Sequence, residues 1–340
     1  MNRPEFLLRH FEFSELMNSP HPIYVSDSSN EENAEKIKRG IKRFKKLSIV
    51  YEWVPPGKDH LYSLFPLIKE KYCIQVGDDD LIIPKTISEC ADFLENNSDY
   101  GTCAGKQVNF NFRQEDYIKP HGLIARQTLP LGRSFEEEDM LVRAKIFWSG
   151  TYFTCFAVRR TETERSIRNI TKYSALAGRI TEISIWSILI ISGKSKILNK
   201  LGYVMQQSDI RSFPTELTAD FMLAPSTKGK LDICQNGLSK FLQGKGVSHE
   251  ESLKISEWLL ILYLARQFSQ EANYSFPYPK SIKSLPLKQN LSKKIRYLAL
   301  SYPFFKKIYY KFKIPDDVTR PESKYFNDFK IIKDFLEESR

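Results

Sequence analysis

The spacing of apolar side chains over the first two hundred residues switches repeatedly between helical and extended periods. After Pro4, the apolar residues Phe6, Leu7, Phe11 and Leu16 predict an amphipathic helix that ends before Pro20. Pro22-Ile23-Tyr24-Val25 is a short apolar run stopped by Ser26-Asp27-Ser28-Ser29-Asn30, the pattern of a buried strand closing in a polar turn. Glu31 to Lys46 returns to helical period through Ala34, Ile37, Ile41 and Phe44. Leu47 to Trp53 is strand-like and is broken by Pro55-Pro56-Gly57. A helix over about His60 to Lys69 precedes the strand Tyr72-Cys73-Ile74-Gln75-Val76, which runs into Gly77-Asp78-Asp79-Asp80. Pro84 then opens a helix carrying Ile87, Cys90, Phe93 and Leu94.

This alternation predicts an α/β fold: a mostly parallel sheet with helices on both faces. Ligands of such sheets bind outside the carboxyl ends of the strands. The clusters Ser26 to Asn30 and Gly77 to Asp80 both follow strands and should therefore share one edge. From about Ala219 helical patterns dominate and lysine becomes frequent. The chain accordingly divides into residues 1–218 and a helical region, 219–340.

Composition narrows the partner. The 51 Lys and Arg against 41 Asp and Glu leave a formal charge of +10, which favours nucleotide phosphates, nucleic acid or an acidic membrane surface. The five cysteines are scattered, with no C-x-x-C pair, which argues against a disulfide framework or a structural zinc site and fits a reduced cytoplasm. The apolar stretch Ile183 to Ile191 is far short of the roughly 20 residues that span a bilayer, and no signal peptide is expected.

Three successive carboxylates after a buried strand repel one another unless something positive sits among them. Their hard oxygens suit Mg²⁺ or Mn²⁺, and Mg²⁺ is commonly held by one or two carboxylates plus substrate phosphates. A solvated acidic turn is the competing reading. The apolar strand before the turn and Leu81-Ile82-Ile83-Pro84 after it pin it on both sides and favour the cation.

At these residues a resemblance emerges. Asn2-Arg3-Pro4-Glu5-Phe6-Leu7-Leu8-Arg9, Ile23 to Ser29 and Tyr72 to Pro84 occur in the order seen in glycosyltransferase family 2. They are most similar to a bacterial subgroup whose D-x-D turn is written G-D-D-D. Thr151 to Arg160 resembles that subgroup's acceptor-side strand. Thr181-Glu182-Ile183, followed by Gly193-Lys194, resembles the helix with the catalytic carboxylate. The likeness covers about the first 210 residues, in pieces.

The resemblance implies a GT-A fold, a nucleotide-sugar donor (UDP-sugar by default), a divalent metal and inversion at the anomeric carbon. It implies Asp80 as direct metal ligand, with Asp78 on the donor ribose and near the metal, and Asp79 beside them. Asp27 would read the nucleobase next to Ser28, Asn2 and Arg3 would line the nucleotide loop, and Lys58 would reach a phosphate. Residue by residue, Asp27 reads equally as an Asx turn, and Glu182, the candidate general base, equally as an acidic first-turn residue of a helix. Two departures stand out. The family often has Glu-Asp where this chain has Glu182-Ile183, and its apolar first strand has no counterpart, since Met1 directly precedes Asn2. The latter leaves two readings, a start downstream of the true one or a shortened copy.

The run from Lys288 to Lys313 mixes lysine with Tyr and Phe, the composition of an interfacial helix on an anionic membrane surface or of a packed helix with solvated lysines. No RNA-binding signature accompanies it, so nucleic acid is not expected. The acceptor expected from the resemblance is a glycan or a lipid-linked precursor. Against this stand a nucleotidyltransferase, which would show a Gly-rich basic loop, a polymerase palm, which needs a hairpin, and a non-catalytic glycan-assembly component on a degraded fold.

Overall fold

The computed structural model describes residues 2–55, 64–116, 119–130, 132–150, 156–171, 179–207, 218–225, 227–275 and 318–338. Lys58, residues 60–63 of the helix expected over about His60 to Lys69, and the run from Lys288 to Lys313 lie outside them, while residues 65–69, which are described, form a turn and coil rather than a helix.

Helix α1, Pro4–Leu16, starts with proline in its first turn, where the missing N–H costs nothing. Strand β1, Ile23–Asp27, leads through Asn30, whose side chain accepts from Asn33 N, into α2, Glu31–Ile41. This helix ends earlier than its apolar period predicts. Arg43 N and Phe44 N bond three residues back, to Gly40 and Ile41, and the tightened turn brings Phe44 edge-on against Phe11, ring centroids 5.5 Å apart. Strand β2, Ile49–Trp53, pairs in parallel with β1, and the two form a sheet of their own.

A second sheet follows. Of the strand expected over Tyr72 to Val76, only β3, Tyr72–Cys73, enters a ladder. Next come β4, Leu81–Ile82, helix α3, Pro84–Asn96, and the long strand β5, Tyr100–Phe112. Strand β6, Ile124–Thr128, helix α4, Met140–Ser149, strand β7, Val158–Arg160, and helices α5, Thr161–Thr171, and α6, Arg179–Ile191, lead to β8, Lys194–Gln206. The strand order is β3-β7-β5-β8-β4, with β6 added to β5. Among its ladders only β5–β8 is parallel. The fold is α/β as expected, but this sheet is mixed rather than mostly parallel: β3, β4, β6 and β7 all pair antiparallel with their neighbours, a pattern that needs no crossover helix. Near the middle of β5 and β8 the backbones nearly touch, since a Cβ on Gly202 would fall 2.8 Å from the Cα of Gly105. No side chain fits there.

Helices cover both faces of this sheet, as the alternation predicted. Adjacent residues of β8 show it: Tyr203 packs with Ile87, Cys90 and Leu94 of α3, while Val204 packs with Val108 and Phe110. The Val204 face is closed by Phe13 of α1 and by Phe329, Ile332 and Leu336 of the last helix, α10, Phe326–Glu338. Beyond β8 the described residues are helical through α7, Thr218–Leu223, α8, Thr227–Gln243, and α9, His249–Ser275. Leu238 and Leu259 of α8 and α9 share a core with Phe147 of α4 and Ile183 and Ile188 of α6. No helix among the described residues is long and apolar enough to cross a membrane.

Candidate functional site

The two polar turns that the sequence assigns to one edge do meet. Asn2 stands between them with a left-handed backbone, φ 57°, a conformation asparagine adopts more readily than most residues. Its N–H donates to Oγ of Ser29 at 2.8 Å, and its side-chain oxygen accepts from Asn30 N at 2.9 Å. Arg3 turns the other way, into the carboxylates of Asp78 and Asp79. Asp27, Ser28, Arg3, Asp78 and Asp79 all line one cavity of about 850 Å³.

Asp27 is buried and closes its turn. Oδ1 accepts from Ser29 N at 2.9 Å, the Asx geometry read from the sequence, and Oδ2 accepts from the Tyr51 hydroxyl at 2.6 Å. Burial, followed by that hydrogen bond and the Asp27 charge, pushes the Tyr51 phenol well above its ordinary range. Trp53 donates to the Ser29 carbonyl at 2.8 Å and braces the same loop from β2.

The acidic turn is held from three sides. The Arg3 guanidinium faces Asp78 and Asp79, and although burial opposes it, their two charges hold its pKa above the usual arginine value. Arg9, 1% exposed, donates to the Asp79 carbonyl and, at 2.7 Å, to the Gln206 side chain. Burial lowers its pKa to about 10 against the pull of the three aspartates. His10 Nδ1 lies 2.9 Å from the Asp80 carbonyl. Phe6, His10 and Ser14 follow helical spacing on α1, with Arg3 at its N-cap, so one face of that helix is committed to the turn and the cavity.

Asp80, the residue expected to bind a metal directly, is 5% exposed and turned inward. The Tyr203 hydroxyl donates to its Oδ2 at 2.6 Å and Gln206 N to its Oδ1 at 3.0 Å. Burial and then the Asp79 charge raise its pKa to about 7, against the two hydrogen bonds and Arg9. The cavity side of the turn therefore offers Asp78 and Asp79, whose side chains are 26% and 22% exposed. No group of three His, Cys, Asp or Glu side chains able to hold a metal occurs among the described residues. Two adjacent hard carboxylates do fit a cation that draws its remaining ligands from phosphate and water.

Glu182 lies elsewhere. It is an exposed residue in the first turn of α6, does not line the cavity, and accepts from the Tyr263 hydroxyl of α9 at 3.1 Å. Tyr203, Gln206 and His10 were not singled out in the sequence. The spacing of His10 from Arg3 on α1 was the one available signal, whereas Tyr203 and Gln206 come from a strand more than a hundred residues away and left none.

No family model matches the chain, and no curated protein matches it. Solved structures of S. aureus TarS are similar in part. TarS 1-349 aligns over 85% of this chain and 75% of that one, at 13% identity and a TM-score of 0.48. Its complex with UDP-GlcNAc aligns over 79% and 89%, at 10% identity and 0.44, and its complex with UDP over 81% and 89%, at 12% and 0.40. At these scores the likeness decides nothing about the chemistry of this chain, which rests on its own residues.

Proposed function

We propose that this protein is an inverting glycosyltransferase that moves a sugar from a nucleotide-sugar donor, UDP-sugar by default, to a glycan or lipid-linked acceptor in surface polysaccharide synthesis. The observation that carries the reading is the meeting of two strand-end turns, one reading-type (Asp27 to Ser29) and one carboxylate (Asp78 to Asp80), stitched together by Asn2 and Arg3. Asp27, whose oxygens each keep a further lone pair, takes the uracil N–H, and Ser28 and Asn2 border the nucleoside. Asp78 and Asp79 would hold Mg²⁺ or Mn²⁺ from the cavity side, while Asp80 anchors the turn through Tyr203 and Gln206. A bound cation offsets the charge that builds on the departing diphosphate. Arg3 adds a fixed positive charge beside it, and Lys58, outside the described residues, is the further cation that the sequence offers for a phosphate. Glu182 is kept as the general-base candidate for the acceptor hydroxyl, a role that requires the acceptor to reach beyond the cavity to the carboxylate held by Tyr263.

The test is calorimetric titration of the full chain with UDP and UDP-sugars in Mn²⁺ and in chelator, alongside donor hydrolysis. Binding that needs the cation and falls at least tenfold in Asp78→Asn is expected. Indifference of the parent to every UDP-sugar, or an Asp78→Asn variant that binds as the parent does, overturns the proposal.

A further inference from the structure

Arg266 of α9 is a buried cation set among aromatic rings. Helical spacing on three helices brings the group together: Glu182 and Trp186 stand four apart on α6, Tyr263 and Arg266 three apart on α9, and Phe147 and Trp148 lie on α4. The guanidinium carbon lies 5.3 Å from the Trp186 ring centroid, 5.5 Å from that of Trp148 and 5.9 Å from that of Phe147. The Trp148 ring in turn meets Trp186 at 5.7 Å and Tyr263 edge-on at 5.4 Å. Ring faces attract the positive charge but leave its N–H groups without an oxygen acceptor. Three donors of this cluster are buried with no hydrogen-bond partner: Nε and Nη1 of Arg266 and the indole Nε1 of Trp148. Arg266 is 9% exposed and Trp148 3%. Burial lowers the arginine pKa against the pull of Tyr263 and Glu182, yet a guanidinium keeps its charge in a protein. Glu182 does not complete the pair: it is exposed, it accepts from the Tyr263 hydroxyl at 3.1 Å, and neither Nε nor Nη1 of Arg266 bonds to it.

Buried charges are ordinarily paired and buried donors ordinarily bonded. What is unsatisfied here is of one kind, donors alone, and one of the groups that carry them is a cation. Water would answer the donors but not the charge, whereas an oxyanion answers both. We infer that Arg266, with Trp148 beside it, is the seat of an oxyanion, a carboxylate or a phosphate, carried by the acceptor. Glu182 and Trp186 are the exposed and half-buried members, so the cluster meets solvent on the side of α6. An acceptor anchored through its anion on Arg266 lies next to Glu182 and can present a hydroxyl there. Arg266 is then a specificity residue that selects anionic acceptors over neutral ones. The carrier of the anion rests on the transferase proposal, while the anion site itself rests on the three donors alone.

The experiment titrates the full chain, isotope-labelled at its tryptophan indoles, with glucuronate, glucose 6-phosphate and glucose, three sugars that differ only at C6. Donor and divalent cation are left out. The indole N–H resonance of Trp148, assigned through Trp148→Phe, is expected to shift saturably with at least one of the two anionic sugars and not with glucose. Which of them acts separates carboxylate from phosphate. Acetate and inorganic phosphate repeat the titration with the bare anions. Arg266→Gln should weaken binding about tenfold or more, the loss of a charge-assisted hydrogen bond. The anion should also raise the melting temperature of the parent and leave that of Arg266→Gln unchanged. Should Arg266→Gln not fold, Arg266→Lys supplies the comparison: it keeps the charge, loses the planar fork, and is expected to bind more weakly than the parent. No saturable shift from any of the four anions overturns the inference. An equal response to glucose overturns it too, as does undiminished binding to the Arg266 variant, because the anion then sits elsewhere. A chain that binds these anions but no UDP-sugar sinks the transferase proposal and leaves the anion site standing, and a chain that binds UDP-sugar but no anion does the reverse.

Discussion

Arg3 grips Asp78 with two nitrogens and Asp79 with a third: Nε donates to Oδ2 of Asp78 at 3.2 Å, Nη2 to its Oδ1, and Nη1 to Oδ2 of Asp79 at 2.9 Å. The fork is planar and bidentate, which an ammonium group cannot imitate. All three side chains are partly exposed, so the pair contributes little to folding, about 1 kcal/mol or less. Arg3→Ala should accordingly barely move the melting temperature. On the proposed reading it weakens UDP binding about tenfold to a hundredfold, the worth of a charge-assisted hydrogen bond at roughly 1.5–3 kcal/mol. Calorimetry beside a thermal melt checks both halves. Unchanged affinity would show that Arg3 only braces the turn.

Glu164 makes the opposite kind of pair. It is 3% exposed between Arg159, whose Nε donates at 2.5 Å, and Arg168, whose Nε donates at 2.8 Å and whose Nη2 reaches Gln75 on the cavity wall at 2.9 Å. Glu164→Gln leaves two buried guanidinium groups facing a neutral amide and should cost about 3–5 kcal/mol. Burial by itself would raise the Glu164 pKa, but the charges of Arg159 and Arg168 outweigh it and hold the carboxyl below the usual glutamate value. A depressed carboxylate contributes stability that is fully present above its unfolded pKa and lost as pH falls through its folded one. Melting temperatures measured from pH 7 downward should therefore drop more steeply below about pH 4.5 in the parent than in Glu164→Gln. Parallel curves would count against the ion triad.

Glu182 separates catalysis from capping. As general base, its change to Gln should lower turnover by roughly 10²–10⁴ while donor affinity and melting temperature stay near those of the parent. As an acidic first-turn residue it would give normal turnover and a small stability loss. Steady-state kinetics beside a melt decides between them. Tyr263→Phe supplies the companion measurement: removing the hydroxyl that bonds Glu182 should shift the acid limb of the turnover profile upward without changing donor affinity.

Much of the architecture could be read along the chain because it depends on neighbours in sequence. The period of Phe6 to Leu16, with Pro4 ahead of it, was enough for α1, and Pro84 with Ile87, Cys90 and Leu94 was enough for α3. The strand–turn pattern of Ile23 to Asn30 and of Tyr72 to Asp80 likewise brought the two polar clusters together, although they follow strands of two separate sheets rather than of one, and Asn2 and Arg3 join them. Strand direction could not be read. Whether β4 or β7 runs with or against its partner depends on pairings over 55 to 123 residues, and no local period encodes these. The role of Asp80 was equally out of reach. Its sequence setting matches that of Asp78 and Asp79, yet Tyr203 and Gln206 arrive from β8 to turn it inward while Arg3 draws its neighbours outward. Local pattern determined which residues form helices, strands and turns, because propensity and periodicity act over a few residues. Only tertiary packing decided which carboxylate faces the cavity and which lies beneath it, because that choice belongs to partners distant in the chain.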